Sequence, residues 1–297
     1  MNPTGVQPPW TAVLTDGQHS LVLFAVTAGA LALLATLVRM RFSSAEVQGE
    51  YRTASLTANA VVALALASYV LVLASVIGGY DRTAAGWVPN EYASFVWAFR
   101  YMDWSITVPL LVVELLAVSI VSTGDSRTRV RAIGMALAFA MIVLGFLGAF
   151  VVEDGKSFTA LVGFGVLSAI CFAALAALIV STAVRTLPRL PAQARPPYRS
   201  AVLVLVTVWF VYPIVYGLQG TTSGGGWAVT GAVALCVADV VAKVGFGSFV
   251  HRTAVLRSRA DEDASPVTTR RPRQPEVDTL WVGDHERYDR DPDLYRE

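Results

Sequence analysis

The sequence predicts an all-α membrane protein: a bundle of seven transmembrane helices, with the N-terminus outside and the C-terminus in the cytoplasm. Three observations predict it. The 297 residues are 55% hydrophobic and 15% charged, with a mean hydropathy of +0.55, far from the balance of a water-soluble domain. The apolar residues gather into seven runs, each near the ~20 residues that a helix needs to cross a bilayer. Arginines crowd every second connection between the runs, which sets the orientation. The net charge of +1 implies no nucleic acid or other polyanionic partner.

An extracellular segment, residues 1–18, comes first; it lacks the basic start of a secretory signal. The membrane domain is expected over residues 19–252, with spans at 19–39, 54–77, 95–121, 131–152, 157–184, 200–218 and 227–251. Arg39, Arg41 and Arg52 flank the first connection. Arg127, Arg129 and Arg131 sit in the third, and Arg185, Arg189, Arg195 and Arg199 in the fifth. The even connections carry only Arg82 and Lys156. The odd connections are therefore cytoplasmic. Trp10, Trp87, Trp97 and Trp227 fall near the expected outer boundaries, where interfacial aromatics gather. Cys171 and Cys236 lie inside apolar runs without metal-site spacing and read as small core residues, so no metal is expected. Residues 253–297 turn abruptly to Arg, Asp, Glu and Pro and are expected to form a disordered cytoplasmic tail.

Few polar residues interrupt the spans. The seventh contains Asp239 and Lys243, four apart and so on one helical face. A charge at membrane depth costs a few kcal/mol or more, and it needs a partner and usually has a task. The chain has only one other lysine, Lys156. A lone buried amine suits chemistry that requires an amine, such as a Schiff base with an aldehyde; the alternative is a structural Asp–Lys pair that joins two helices. The third span holds Arg100, Asp103, Thr107 and Glu114. Asp103 and Thr107 share a face and are expected to hydrogen-bond. Glu114 lies eleven residues past Asp103, ~16 Å along the helix axis, toward the cytoplasm. In apolar surroundings it is expected to hold its proton. An acid, a cation, an acid and an arginine in that order suit stepwise proton transfer; a buried ion-pair network that fixes packing would explain all but Glu114. In the sixth span Trp209, Tyr212 and Tyr216 share a face, joined by Trp104 from the third, and such rings line a slot for a flat apolar ligand or simply form core. Pro213 is expected to kink that span.

These residues together resemble the microbial rhodopsin family. The likeness rests on Arg100-Tyr101-x-Asp103-Trp104-x-x-Thr107-x-Pro109-Leu110-Leu111, on Trp209-x-x-Tyr212-Pro213, and on Asp239-x-x-x-Lys243-Val244-Gly245-Phe246-Gly247. The resemblance implies all-trans retinal bound to Lys243 as a protonated Schiff base. It implies Asp103 as primary counter-ion and proton acceptor, aided by Thr107 and coupled to the outside by Arg100. Asp239 would be the second counter-ion, hydrogen-bonded by Tyr69 and Tyr212. Trp104, Trp209 and Tyr216 would sandwich the polyene. Leu111 goes with green absorption. Asp103, Thr107 and Glu114 look like the triplet of the outward proton pumps of the proteorhodopsin and xanthorhodopsin type, with Glu114 as donor. The function expected is a light-driven outward proton pump, not an enzyme, in the cell membrane of a bacterium, as a trimer or pentamer. The rival readings are a photosensor that signals through a partner protein and a seven-helix receptor or transporter without retinal.

Two departures from the pattern matter. Ser68 stands where such pumps often carry a histidine beside the acceptor. No acid lies between Gln219 and Trp227 to match the paired glutamates of early proton release, so release is expected after uptake. Gly165 matches a glycine of the carotenoid-binding relatives, which would open a window for a carotenoid antenna; glycine is also simply common in membrane helices.

Overall fold

A computed structural model of the chain describes residues 5–43, 47, 49–120 and 125–264. Residues Met1–Ala260 form one compact unit and Asp261–Glu297 a second, of which residues 261–264 are described, as the end of a helix. The rest of the expected tail lies outside the described residues.

The seven runs become seven spans. The first five are α1 (Asp16–Ser43), α2 (Arg52–Gly78), α3 (Phe95–Ala117), α4 (Asp125–Phe146) and α5 (Phe158–Thr186). The sixth is broken into α6 (Arg195–Trp209) and α7 (Val211–Leu218). The seventh runs from α8 (Gly224–Val240) through a π-helical turn (Val241–Gly245) into α9 (Phe246–Ala264). Six spans are long and apolar enough to cross a membrane. The seventh, α3, has 23 residues, ~34 Å at helical rise; it is less apolar because it carries Arg100, Asp103 and Glu114. Successive spans pack side by side, and α1 also packs on α8, which closes the ring.

Several boundaries differ from expectation. The last helix continues to Ala264 instead of giving way to a tail at 253. It is held there by Arg257, whose guanidinium donates to the Val118 carbonyl at 2.7 Å and lies 4.5 Å over the Tyr51 ring. The helix α4 starts at Asp125, so Arg127, Arg129 and Arg131 ride on its first turns and not in a loop. The sixth span starts at Arg195, since Pro196 and Pro197 in its first turn need no intrahelical donor. Trp97 is buried in the core, although its position along the chain is near a boundary.

The second connection is a hairpin of β1 (Tyr80–Thr83) and β2 (Gly86–Pro89). Gly86 has φ +109, and a Cβ there would meet the Leu14 carbonyl at 2.5 Å. That close approach lets Leu14 pair with Trp87 across the hairpin edge. The Trp87 indole donates to Asp16 at 2.8 Å and stacks on His19 at 3.9 Å.

Candidate functional site

The site lies where α3 faces the π-helical turn. Lys243 is 2% exposed. Its Nζ lies 2.9 Å from Asp239 Oδ1, one turn back on its own span, and 3.0 Å from Asp103 Oδ2 across the bundle. Arg100, also 2% exposed, donates to Asp239 Oδ2 at 3.4 Å. Two cations thus meet two carboxylates, and the cluster is neutral. That balance is what makes it tolerable, since each unpaired buried ion would cost several kcal/mol.

The two carboxylates are held differently. Asp239 Oδ1 accepts from Trp104 Nε1 at 2.9 Å, Tyr212 Oη at 2.9 Å and Lys243. Its Oδ2 accepts from Tyr69 Oη at 3.1 Å and from Arg100. Asp103 meets Lys243 through Oδ2, and its Oδ1 has no hydrogen-bond partner. The Thr107 hydroxyl, expected on that carboxyl, donates instead to the Asp103 main-chain carbonyl at 2.9 Å. A helical threonine reaches the carbonyl four residues back more readily than a side chain that leans away from it. Arg100, expected one turn outward of Asp103 and coupled to it, reaches across to Asp239 and to Cys236 Sγ, which accepts at 3.1 Å. Cys236 was legible only as a core residue; nothing in its spacing points to Arg100. Gly29 is a second hidden contributor, for a Cβ there would lie 2.5 Å from the Tyr69 ring.

Next to the cluster is a slot between α3, α4, α5 and the sixth span. Trp104, Trp209, Tyr212 and Tyr216 line it, with Gly165 on the α5 side. Trp104 meets Tyr212 edge to face at 4.9 Å. The Tyr216 ring occupies a niche left by small residues: a Cβ at Gly165 would lie 2.7 Å from its Cε1 and one at Gly148 2.5 Å from its hydroxyl. That hydroxyl donates to the Leu161 carbonyl at 2.8 Å. Pro213 also borders the slot. Leu111 is buried but is not on its wall. The slot has about 90 Å³ of room, below the ~300 Å³ at which ligand pockets usually begin, so a bound polyene requires these walls to part. The lining fits such a group in kind: flat aromatic faces, a missing side chain at Gly165, and two of its rings, Trp104 and Tyr212, bonded to Asp239 of the charged cluster.

Glu114 stands apart from the cluster, deeper along α3. It is 1% exposed and its Oε1 has no hydrogen-bond partner. Ser68, on α2, donates to the Phe99 carbonyl at 3.0 Å, so it supports the α3 backbone beside the site. Among the described residues no group of acids, histidines and cysteines is arranged to hold a metal.

The chain is similar to known proteins over most of its length. The model of the family described as bacteriorhodopsin-like protein matches residues 18–256. Sensory rhodopsin-2 of Natronomonas pharaonis is 28% identical over 246 residues, 82% of this chain and 94% of that protein. Bacteriorhodopsin-I of Haloquadratum walsbyi is 29% identical over 206 residues, 68% of this chain and 74% of that protein. Among solved structures, a thermophilic rhodopsin superposes with TM-score 0.76 at 23% identity, covering 84% of this chain and 98% of that one. Xanthorhodopsin, described as a light-driven ion pump with dual chromophore, superposes with TM-score 0.73 at 28% identity, covering 86% and 99%. The family match spans all seven helices and both halves of the charged cluster, and the chain belongs to the bacteriorhodopsin-like family of microbial rhodopsins.

Proposed function

We propose that the chain is a light-driven outward proton pump, with Lys243 carrying the retinal that the family implies. The observation that carries this is the asymmetry around Lys243: one carboxylate saturated with donors, the other with an open oxygen. When bound, retinal supplies the light-driven change of shape that moves the Lys243 nitrogen and its proton. The rest falls to the side chains. Asp239 is fully occupied and stays a fixed counter-charge, positioned by Tyr69, Tyr212 and Trp104. Asp103 has room at Oδ1 and accepts the proton from the Lys243 nitrogen. Glu114, buried and without a cationic partner, returns a proton to that nitrogen from the other side. Arg100 links the cluster to the end of α3 that the arginine pattern assigns to the outside, and Asp103 discharges in that direction, after uptake. Two carboxyls ~16 Å apart along one helix, with a switchable cation between their depths, separate entry from exit.

The same reading assigns the N-terminus to the outside, the C-terminus to the cytoplasm, and the membrane to a bacterial cell, with a trimer or pentamer as the assembly. A photosensor is the second reading, favoured by the 28% identity to a sensory rhodopsin. The test is illumination of a cell suspension expressing the protein with retinal supplied. A pump acidifies the medium, and a protonophore abolishes the signal; a sensor gives no such change. A carotenoid antenna would be seated against α5 at Gly165, where no side chain stands between the outer surface and Tyr216. A hydroxylated carotenoid that yields no energy transfer in the excitation spectrum removes that addition.

A further inference from the structure

Gly247 ends the run Lys243-Val244-Gly245-Phe246-Gly247, and nothing above gives it a role. A Cβ built on Gly247 would lie 3.5 Å from Glu114 Oε1 and 3.6 Å from Met40 Cε. Glu114 and Met40 are both buried, and Oε1 has no hydrogen-bond partner. Three spans therefore meet at this point: a carboxyl oxygen from α3, a thioether methyl from α1 and a bare α-carbon from α9. None of them offers the oxygen a conventional donor. The adjacent hydroxyl is engaged elsewhere, since Ser248 donates to the Val244 carbonyl at 2.7 Å and accepts from Arg39 at 2.8 Å.

We propose that Gly247 is a positioning residue for the proton donor. By presenting no side chain, with Met40 Cε filling the space beside it, Gly247 keeps Glu114 Oε1 unbonded. The carboxyl then hands its proton toward the Lys243 nitrogen without first breaking a hydrogen bond to the protein. The proposal rests on the reading of Glu114 as donor. It makes a specific demand on position 247. A Cβ at 3.5 Å is in ordinary contact, so alanine fits without displacing its neighbours. Serine adds a hydroxyl to that same carbon, within reach of Oε1.

The experiment uses the full-length chain with retinal bound and compares Gly247→Ser with Gly247→Ala, so that bulk is matched and only the donor differs. Two readouts are taken. One is the Glu114 carbonyl stretch in the dark infrared spectrum, located by subtracting the spectrum of Glu114→Gln. The other is the rate at which the Lys243 nitrogen regains its proton after a flash. In Gly247→Ser the band moves to lower frequency and the return slows roughly fivefold relative to Gly247→Ala, the weight of one ordinary net hydrogen bond. An unmoved band overturns the proposal, as does equal slowing in the two variants. A band that moves without any change in rate leaves the contact and removes the role. If Glu114→Gln itself leaves the return rate unchanged, the donor reading has failed and takes this one with it, while the dark band reports the contact independently.

Discussion

Asp103 and Asp239 carry the same functional group and face the same amine, yet one is clamped and the other half free. Asp239 takes five donors, from Tyr69, Arg100, Trp104, Tyr212 and Lys243. Asp239→Asn removes the negative charge that two buried cations share. The expected loss is about 3–5 kcal/mol of stability, the scale for breaking a buried ion pair, read as an earlier unfolding transition in detergent. Tyr69→Phe removes one donor and is expected to cost about 1 kcal/mol in the same assay. On the pump reading, Asp103→Asn is expected to form pigment, to shift its absorption to the red because a counter-charge is gone, and to stop light-driven acidification. Lys243→Ala is expected to give no pigment, read as the absence of a visible absorption band when retinal is added. Much of this was legible in the sequence. Asp239 and Lys243 are helical neighbours at four residues, and Asp103 is the sole acid in the N-terminal half of α3. The Arg100 contact to Cys236 and the Thr107 contact to a main-chain carbonyl were not, because both depend on where separate side chains point after packing.

The sixth span carries the clearest lesson at the scale of an element. Pro213 predicts a kink, and the helix breaks at Phe210, three residues earlier. The offset has a simple cause. Proline has no N–H for the carbonyl four residues back, at Trp209, and its ring crowds that carbonyl. Phe210 N–H turns instead to Thr207 at 3.2 Å. Pro213→Ala supplies the missing donor and should make the span continuous. Slower hydrogen exchange at residues 210–214 would show it, and an unchanged rate would mean that packing, not proline, sets the break. The π-helical turn at Val241–Gly245 had no comparable signal. One extra residue per turn is a tertiary accommodation around Lys243, and such turns often mark functional sites. The hairpin escaped for a related reason. Its strands are four residues each, and two-residue Ala84-Ala85 is not a usual hairpin turn; the pairing of Trp87 with Leu14 is long-range.

At the scale of the molecule, seven spans were readable because hydropathy and length suffice, and because a bilayer leaves few alternatives to helices. Their ends were less so: prolines at 196 and 197 and the reach of α9 to Ala264 moved boundaries by several residues. Arg257 makes the last of these matter. It joins the C-terminal end of the seventh span to the end of α3 and the start of α2. Arg257→Gln is expected to cost about 1–2 kcal/mol, since a charged donor and a ring contact are both lost, and melting should drop by several degrees. The two staves that bear the acids and the amine are roped together at one rim, so the rope lies on the same pair that the Lys243–Asp103 contact bridges. Cutting that rope loosens the two staves on which the charges sit without touching the charges themselves.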